Sequence, residues 1–187
     1  MKIALFGGSF DPIHKGHLQI ANELLKKQIV NQVWFIPCGN HPFNKNLSPG
    51  KERIKMINLA IENNPKLKVI ELEINSKETS YTSKTIKTLK DNFPKDEFYF
   101  VIGTDNLQDL EKWNDFEFLK KKVDFILMNR PGFNFVNYPK IKIKYYLDIQ
   151  NNMSSSQIRE NLEKGVSIKG LVPERVGKYI KKEGLYD

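Results

Sequence analysis

Residues 2–17, Lys2-Ile3-Ala4-Leu5-Phe6-Gly7-Gly8-Ser9-Phe10-Asp11-Pro12-Ile13-His14-Lys15-Gly16-His17, constrain the fold more than any other stretch of the chain. Ile3 to Phe6 is a short apolar run that reads as a buried strand, and Gly7-Gly8 cuts it off. Paired glycines let backbone N–H groups approach a bulky anion closely and tolerate positive φ where it is needed. From Lys15 onward, Leu18, Ala21, Leu25 and Ile29 recur at near-helical spacing, which predicts a helix opening close to Lys15. The first N–H groups of such a helix lack partners and its dipole end is positive, so the turn can receive a phosphate. His14 and His17 stand three apart at that mouth, a spacing that shares one helix face. The chain has only one further histidine, His41, so the crowding of two at one turn points to function. A Gly-Gly turn also joins strands to helices with no ligand present. H-x-x-H spacing also serves metal pairs, but no neighbouring Cys or Glu-x-x-His supports one here, and no metal ligands are assigned.

A chain of 187 residues can bury one sizeable core. We expect a single domain over residues 1–187, with a helical part from about 153 to 187 packed on it. The net charge of +8 points to anionic ligands, nucleotides or nucleic acid. Only four of the 30 basic residues are arginine, namely Arg53, Arg130, Arg159 and Arg175. The abundant lysines read as a solvated surface, which makes the arginines the more informative cations. A lone cysteine, Cys38, excludes an internal disulfide and fits a reducing compartment. No apolar run approaches about 18 residues, and Met1 leads straight into a strand. We therefore expect no signal peptide, no membrane span and a cytoplasmic protein.

Further along, strands are expected over residues 32–36, 68–74, 98–102, 123–128 and 141–147. Ser48-Pro49 reads as a helix cap followed by proline at the first helical position, with Ile54, Ile57 and Ile61 facing the core. Ser80-Tyr81-Thr82 precedes a helix whose apolar positions are Ile86, Leu89 and Phe93. One or two short helices lie within 105–121, a loop within 133–139, a helix from the Ser154 region through Leu162, and a closing helix over 173–182. The repeated strand–helix alternation predicts an α/β fold, a Rossmann-like doubly wound and mostly parallel sheet with helices on both faces. Ligands of such sheets sit beyond the carboxyl ends of the strands, where strand order reverses. Gly7-Gly8, residues 37–45, Gly103-Thr104-Asp105 and Arg130-Pro131-Gly132 all fall there.

Gly8-Ser9-Phe10-Asp11-Pro12-Ile13-His14, followed by Gly16-His17, resembles the signature of the H-x-G-H nucleotidyltransferase superfamily. Four further segments resemble the nicotinate-nucleotide (or nicotinamide-nucleotide) adenylyltransferase family within it, and together they span nearly the whole chain. They are Ser80-Tyr81-Thr82, Ile102-Gly103-Thr104-Asp105 with Trp113, Arg130-Pro131-Gly132, and Ser154-Ser155-Ser156-Gln157-Ile158-Arg159. The resemblance implies adenylyl transfer from ATP to nicotinate mononucleotide, giving deamido-NAD and pyrophosphate. It implies that Gly8, Ser9, Phe10, His14, His17, Gly103, Asp105, Ser154, Ser155 and Arg159 bind ATP. Lys45, Ser80, Tyr81, Thr82, Trp113 and Arg130 would bind the mononucleotide, with His14, His17, Lys45 and Arg159 catalytic. Magnesium would arrive with ATP, and a homo-oligomer is allowed. Residues 40–45, Asn40-His41-Pro42-Phe43-Asn44-Lys45, depart from the family's P-P-H-K type of loop: Asn44 stands where that histidine would be, and His41 lies three residues earlier.

The motif's relatives in pantetheine-phosphate adenylyltransferases and cytidylyltransferases leave those activities open, as they do a preference for the nicotinamide mononucleotide or for both pyridines. Neither relative should carry Ser80-Tyr81-Thr82 or Arg130-Pro131-Gly132. A nucleic-acid-binding module is the reading from another class. It is disfavoured because the lysines are scattered and lack the interleaved aromatics of an RNA platform. Neither nucleic acid nor membrane is expected as a partner.

Overall fold

A computed structural model describes residues 1–40, 47–76, 78–130, 132, 138–149 and 152–186. Strands β1 (Lys2–Gly8), β2 (Gln32–Pro37), β3 (Leu67–Val69), β4 (Glu97–Gly103), β5 (Asp124–Met128) and β6 (Lys142–Leu147) form one sheet in the order β3-β2-β1-β4-β5-β6. Every pairing is parallel. The chain works outward from β1 through β2 to β3, then crosses to the other side of β1 for β4. The reversal of strand order therefore lies between β1 and β4.

Alternation along β1 shows how the sheet builds two cores. Ala4 and Phe6 point to one face, where α1 (Lys15–Lys26), α2 (Gly50–Ile61), α5 (Ser155–Glu163) and α6 (Glu174–Glu183) bury Ile20, Leu24, Met56, Ile57, Ile158, Val176 and Ile180. Ile3 and Leu5 point to the other, against Ile86 and Leu89 of α3 (Thr82–Asn92) and Leu119 of α4 (Phe116–Lys122). Burying each such side chain contributes roughly 1.5–3 kcal/mol. This apolar complementarity outweighs the few tenths of a kcal/mol per residue that separate helix propensities. β1, β2, β4 and β5 are covered on both sides, which is why their sequences read as continuous apolar runs.

Some local expectations are corrected. The buried face of α1 is His17, Ile20, Ala21 and Leu24; Leu18 and Leu25 are only half-buried, and Ile29 follows the helix end. Ser48 is not the cap of α2. Pro49 occupies that position, and the Ser48 N–H is instead donated to Oδ2 of Asp11 at 3.0 Å. The strand expected over 68–74 ends at Val69. The Ile70 N–H still reaches the Phe35 carbonyl, but the chain then turns, closing an Asn75 N–H to Glu71 carbonyl bond. Phe93 lies just past α3 and is 41% exposed, packing its ring against Trp34 rather than entering the core. Pro173 caps α6 instead of beginning it. No helix among the described residues is long and apolar enough to cross a membrane.

Candidate active site

The turn after β1 departs from expectation in one respect. Neither Gly7 nor Gly8 has positive φ, and the left-handed residue is Phe10, at φ 49°. The glycines supply space. A Cβ on Gly8 would meet the Phe10 ring at 3.0 Å, and one on Gly7 would meet the Phe100 ring at 3.3 Å. Phe10 is held in its strained backbone conformation by a side chain 1% exposed, packed edge-on against Phe6, Phe35 and His17. That ring forms the floor beneath the histidines.

His14 and His17 are 3% and 9% exposed, with stacked rings whose centroids lie 3.6 Å apart. The His14 backbone N–H donates to Nδ1 of His17 at 3.2 Å. An accepting Nδ1 fixes His17 as the Nε2–H tautomer, so the far side of the ring is a donor. Burial, reinforced by the Arg130 guanidinium, lowers the His14 pKa to about 4. Burial, His14 and Arg130 together hold His17 well below the ordinary histidine range. Both rings are therefore neutral near pH 7 in the free protein, yet they face a cationic neighbour. An anionic ligand would reverse that balance.

Arg130 follows β5. Its backbone N–H donates to Oγ1 of Thr104 at 3.0 Å, and its Nε lies 3.9 Å from Oδ1 of Asp105. A Cβ on Gly103 would fall 2.2 Å from that same Asp105 oxygen, so a side chain there would have to displace the Asp105 carboxylate. The structure thus groups Gly103, Asp105 and Arg130, and Arg130 is electrostatically coupled to both histidines. Three side-chain atoms among the described residues are buried with no hydrogen-bond partner: His14 Nδ1, Asn129 Oδ1 and Arg130 Nε. Such atoms cost free energy unless something arrives to meet them. All three belong to turns at the carboxyl ends of β1 and β5.

The mouth of α5 closes the other side. Ser154 is its cap, accepting the Gln157 N–H at 3.1 Å, which is the capping role a serine at this position favours. The Ser155 hydroxyl donates to the Pro12 carbonyl at 2.9 Å, and Nη1 of Arg159 donates to the Asp11 carbonyl at 2.6 Å. These two expected phosphate ligands therefore also brace the β1 turn, bringing two helix N-termini together. A cleft of about 400 Å³ beside them is lined by Gln19, Met153, Ser154, Gln157 and Leu171, among others.

A second cluster forms around the start of α3. Oγ of Ser80 accepts the Gly39 N–H at 2.9 Å, and the Ser80 N–H donates to the Asn40 carbonyl at 2.9 Å. Ser83 donates to Asn114 at 2.8 Å, which draws in the half-buried Trp113, set edge-on to Phe100. Tyr81 is the residue before the helix and Thr82 its first, both half-buried. Glu73, whose pKa burial raises, accepts from Oγ1 of Thr85 at 2.6 Å. Lys45, with His41 and Asn44, lies outside the described residues, as does Pro131.

A model of the family described as cytidylyltransferase-like matches residues 5–161. The nicotinate-nucleotide adenylyltransferase of Bacillus subtilis is 36% identical over 190 residues, 100% of this chain and 98% of that protein. The chain belongs to the nicotinate-nucleotide adenylyltransferase family. A relative in Geobacillus thermodenitrificans is 39% identical over 188 residues, 99% of this chain and 86% of that protein. Among solved structures, nicotinic acid mononucleotide adenylyltransferase of Plasmodium falciparum complexed with NaAD superposes with a TM-score of 0.87 at 28% identity, covering 100% of this chain and 97% of that one.

Sequence reasoning assigned no site role to four residues at these turns: Arg53, which it named only among the informative arginines, and Asp11, Glu73 and Asn129. Arg53, 3% exposed, donates from Nη1 to the carbonyls of Ser9 (3.0 Å) and Cys38 (2.8 Å) and from Nε to that of Ser48 (2.9 Å), joining the turn after β1 to the segment after β2. The scarcity of arginine was the available signal for Arg53. For the others, only long-range contacts reveal the role.

Proposed function

We propose that this chain carries out adenylyl transfer with the two clusters just described, one for ATP and one for the mononucleotide. The activity is that of a nicotinate-nucleotide adenylyltransferase: ATP and nicotinate mononucleotide are converted to nicotinic acid adenine dinucleotide and pyrophosphate, a step of NAD biosynthesis. The observation that carries the residue assignment is that His14 Nδ1 and Arg130 Nε are buried without a hydrogen bond beyond the carboxyl ends of β1 and β5, the ligand side of such a sheet, with Arg130 acting on both histidines.

An oxygen of the mononucleotide 5′-phosphate attacks the α-phosphorus of ATP. A P–O bond forms there as the bond to the β-phosphate breaks, and pyrophosphate leaves with the electron pair. The nucleophile needs no base, because the second pKa of a phosphate monoester is about 6. Catalysis is therefore alignment and charge stabilisation. His14 and His17 donate to the triphosphate, and the backbone N–H groups of Gly8, Ser9 and Phe10 line the turn beneath it. Ser154, Ser155 and Arg159 receive the β- and γ-phosphates at the α5 mouth. Asp105, beside Gly103, takes the ribose, while the cleft by Met153 and Gln19 has room for the purine. Ser80, Tyr81 and Thr82 receive the pyridine carboxylate with Trp113 at the ring, and Lys45 neutralises the attacking phosphate. Arg130, beside Asp105 and the histidines, contacts the mononucleotide's phosphate where it meets ATP.

Magnesium enters as the ATP complex, bound through the phosphates. We further propose that residues 1–187 act as one nucleotidyltransferase domain working in the cytoplasm. The supports are the packing of α5 and α6 on the sheet and a sequence whose single cysteine, Cys38, allows no internal disulfide. The deciding experiment is pyrophosphate release from ATP against nicotinate mononucleotide, nicotinamide mononucleotide and phosphopantetheine. We expect kcat/KM highest for the nicotinate form, since a carboxylate at a helix N-terminus gains charge-assisted hydrogen bonds that an amide lacks. Faster turnover of phosphopantetheine would overturn the assignment.

A further inference from the structure

The turn that carries His14 has a partner remote in sequence. Tyr186 lies beyond α6, in the left-handed region at φ 71°, and its hydroxyl donates to Oδ1 of Asp11 at 2.5 Å. Asp11 is 2% exposed and belongs to the turn itself, three residues before His14. Its second carboxyl oxygen accepts the Ser48 N–H at 3.0 Å, and its carbonyl accepts from Arg159 at 2.6 Å. One buried residue therefore joins the triphosphate turn, the end of the segment after β2, the α5 mouth and the segment after α6. Burial and the Asp11 carboxyl push the Tyr186 hydroxyl's pKa upward, so it stays a neutral donor throughout the physiological range.

We propose that Tyr186 is a positioning residue for adenylyl transfer, acting through Asp11 to hold the β1 turn in register with the segment leading into α2 and with the α5 mouth. The proposal rests on the assignment of the β1 turn to ATP made above. Asp11 carries the β1 turn in its own backbone and holds the segment leading into α2 through Ser48, so its side-chain orientation sets the relation between those two segments. Without the Tyr186 hydroxyl, Asp11 keeps the Ser48 bond but loses the donor that fixes its other oxygen. The reacting atoms of a two-substrate transfer must be in line and close, and a misplacement of about 1 Å can cost about 10² in rate. A purely structural bond would instead appear in stability and leave the turnover of folded protein alone.

Tyr179 supplies the control. Its hydroxyl donates to Oε2 of Glu52 at 2.6 Å, tying α6 to α2 away from the turn, so Tyr179→Phe removes the same group from the same helical region. Pyrophosphate release by wild type, Tyr186→Phe and Tyr179→Phe is measured with thermal unfolding of each. Tyr186→Phe should lower kcat about tenfold while both KM values stay within threefold, and Tyr179→Phe should match wild type. In an Asp11→Ala background, Tyr186→Phe should cost less than twofold further, because the acceptor through which it acts is already gone. If Tyr186→Phe turns over within twofold of wild type, or costs the same tenfold in both backgrounds, the proposal is overturned. Failure of wild type to release pyrophosphate with any mononucleotide would instead defeat the underlying assignment, and the wild-type arm reports that separately.

Discussion

The backbone N–H of His14 donates to Nδ1 of His17, so the first histidine of the motif fixes the tautomer of the second. The two are not interchangeable donors. His17 is locked by a bond from within the motif and floored by Phe10, whereas Nδ1 of His14 is buried and unmatched.

Both rings should serve charge that grows in the transition state. His14→Ala and His17→Ala are each expected to lower kcat by about 10²–10³, the usual cost of one such donor. The KM for ATP should rise less than tenfold. Steady-state kinetics with varied ATP makes the separation, and near-normal kcat in both variants would contradict it.

The depressed histidine pKa values make a stability prediction with a definite sign. For His14 the folded value, about 4, lies below the ordinary 6.5, so between them the unfolded chain binds more protons. Stability is unaffected above about pH 6.5 and is lost as pH falls toward 4, by an amount on the order of 3 kcal/mol for His14 alone. His14→Gln should flatten the acid side of a plot of urea-unfolding free energy against pH. An unchanged slope between pH 6.5 and 4.5 would mean that His14 is not desolvated.

Arg159 bonds the Asp11 carbonyl with one nitrogen and reaches Ser156 at 3.3 Å with another. Arg159→Ala should therefore weaken ATP and pyrophosphate about tenfold or more and leave mononucleotide affinity within threefold. Calorimetric titration of each ligand alone tests this; selective loss of the mononucleotide would reverse the assigned substrate orientation.

Arg53 uses its guanidinium on three backbone carbonyls, and a methionine in its place would strand them. Each unmet buried acceptor costs about 1–3 kcal/mol. Arg53→Met should be destabilised by about 3 kcal/mol or more in urea unfolding, with Arg53→Lys intermediate because an ammonium cannot span the same three positions.

What was legible in the sequence followed from local regularity. The β1, β2, β4 and β5 runs are apolar because both faces are covered, and the glycine turn with its H-x-G-H helix mouth is contiguous in the chain. Residues 71–74 misled because Glu71-Leu72-Glu73-Ile74 alternates like a strand. The sheet needs β3 only opposite residues 33–35, and the chain turns away once that pairing ends. Ser48 looked like a helix cap because its type suits one, while its N–H is committed to Asp11, 37 residues away. The bracing roles of Arg53, Glu73 and Tyr186 depend on partners that no short window contains.

Two helix N-termini meet at this site, α1 behind the histidines and α5 braced onto Asp11 and Pro12. Under the proposed assignment their amides and the nearby guanidiniums face the triphosphate, while the lysines forming paired contacts lie largely exposed, in ion pairs such as Lys27–Glu23 and Lys178–Glu174. Dissolved ions screen such exterior charges but penetrate poorly to fixed dipoles that a substrate covers on arrival. The chain is thus basic in two separable senses. Acetylating its surface lysines would transform its electrophoretic mobility and its adhesion to polyanions, yet the grip on a triphosphate would hardly register the change.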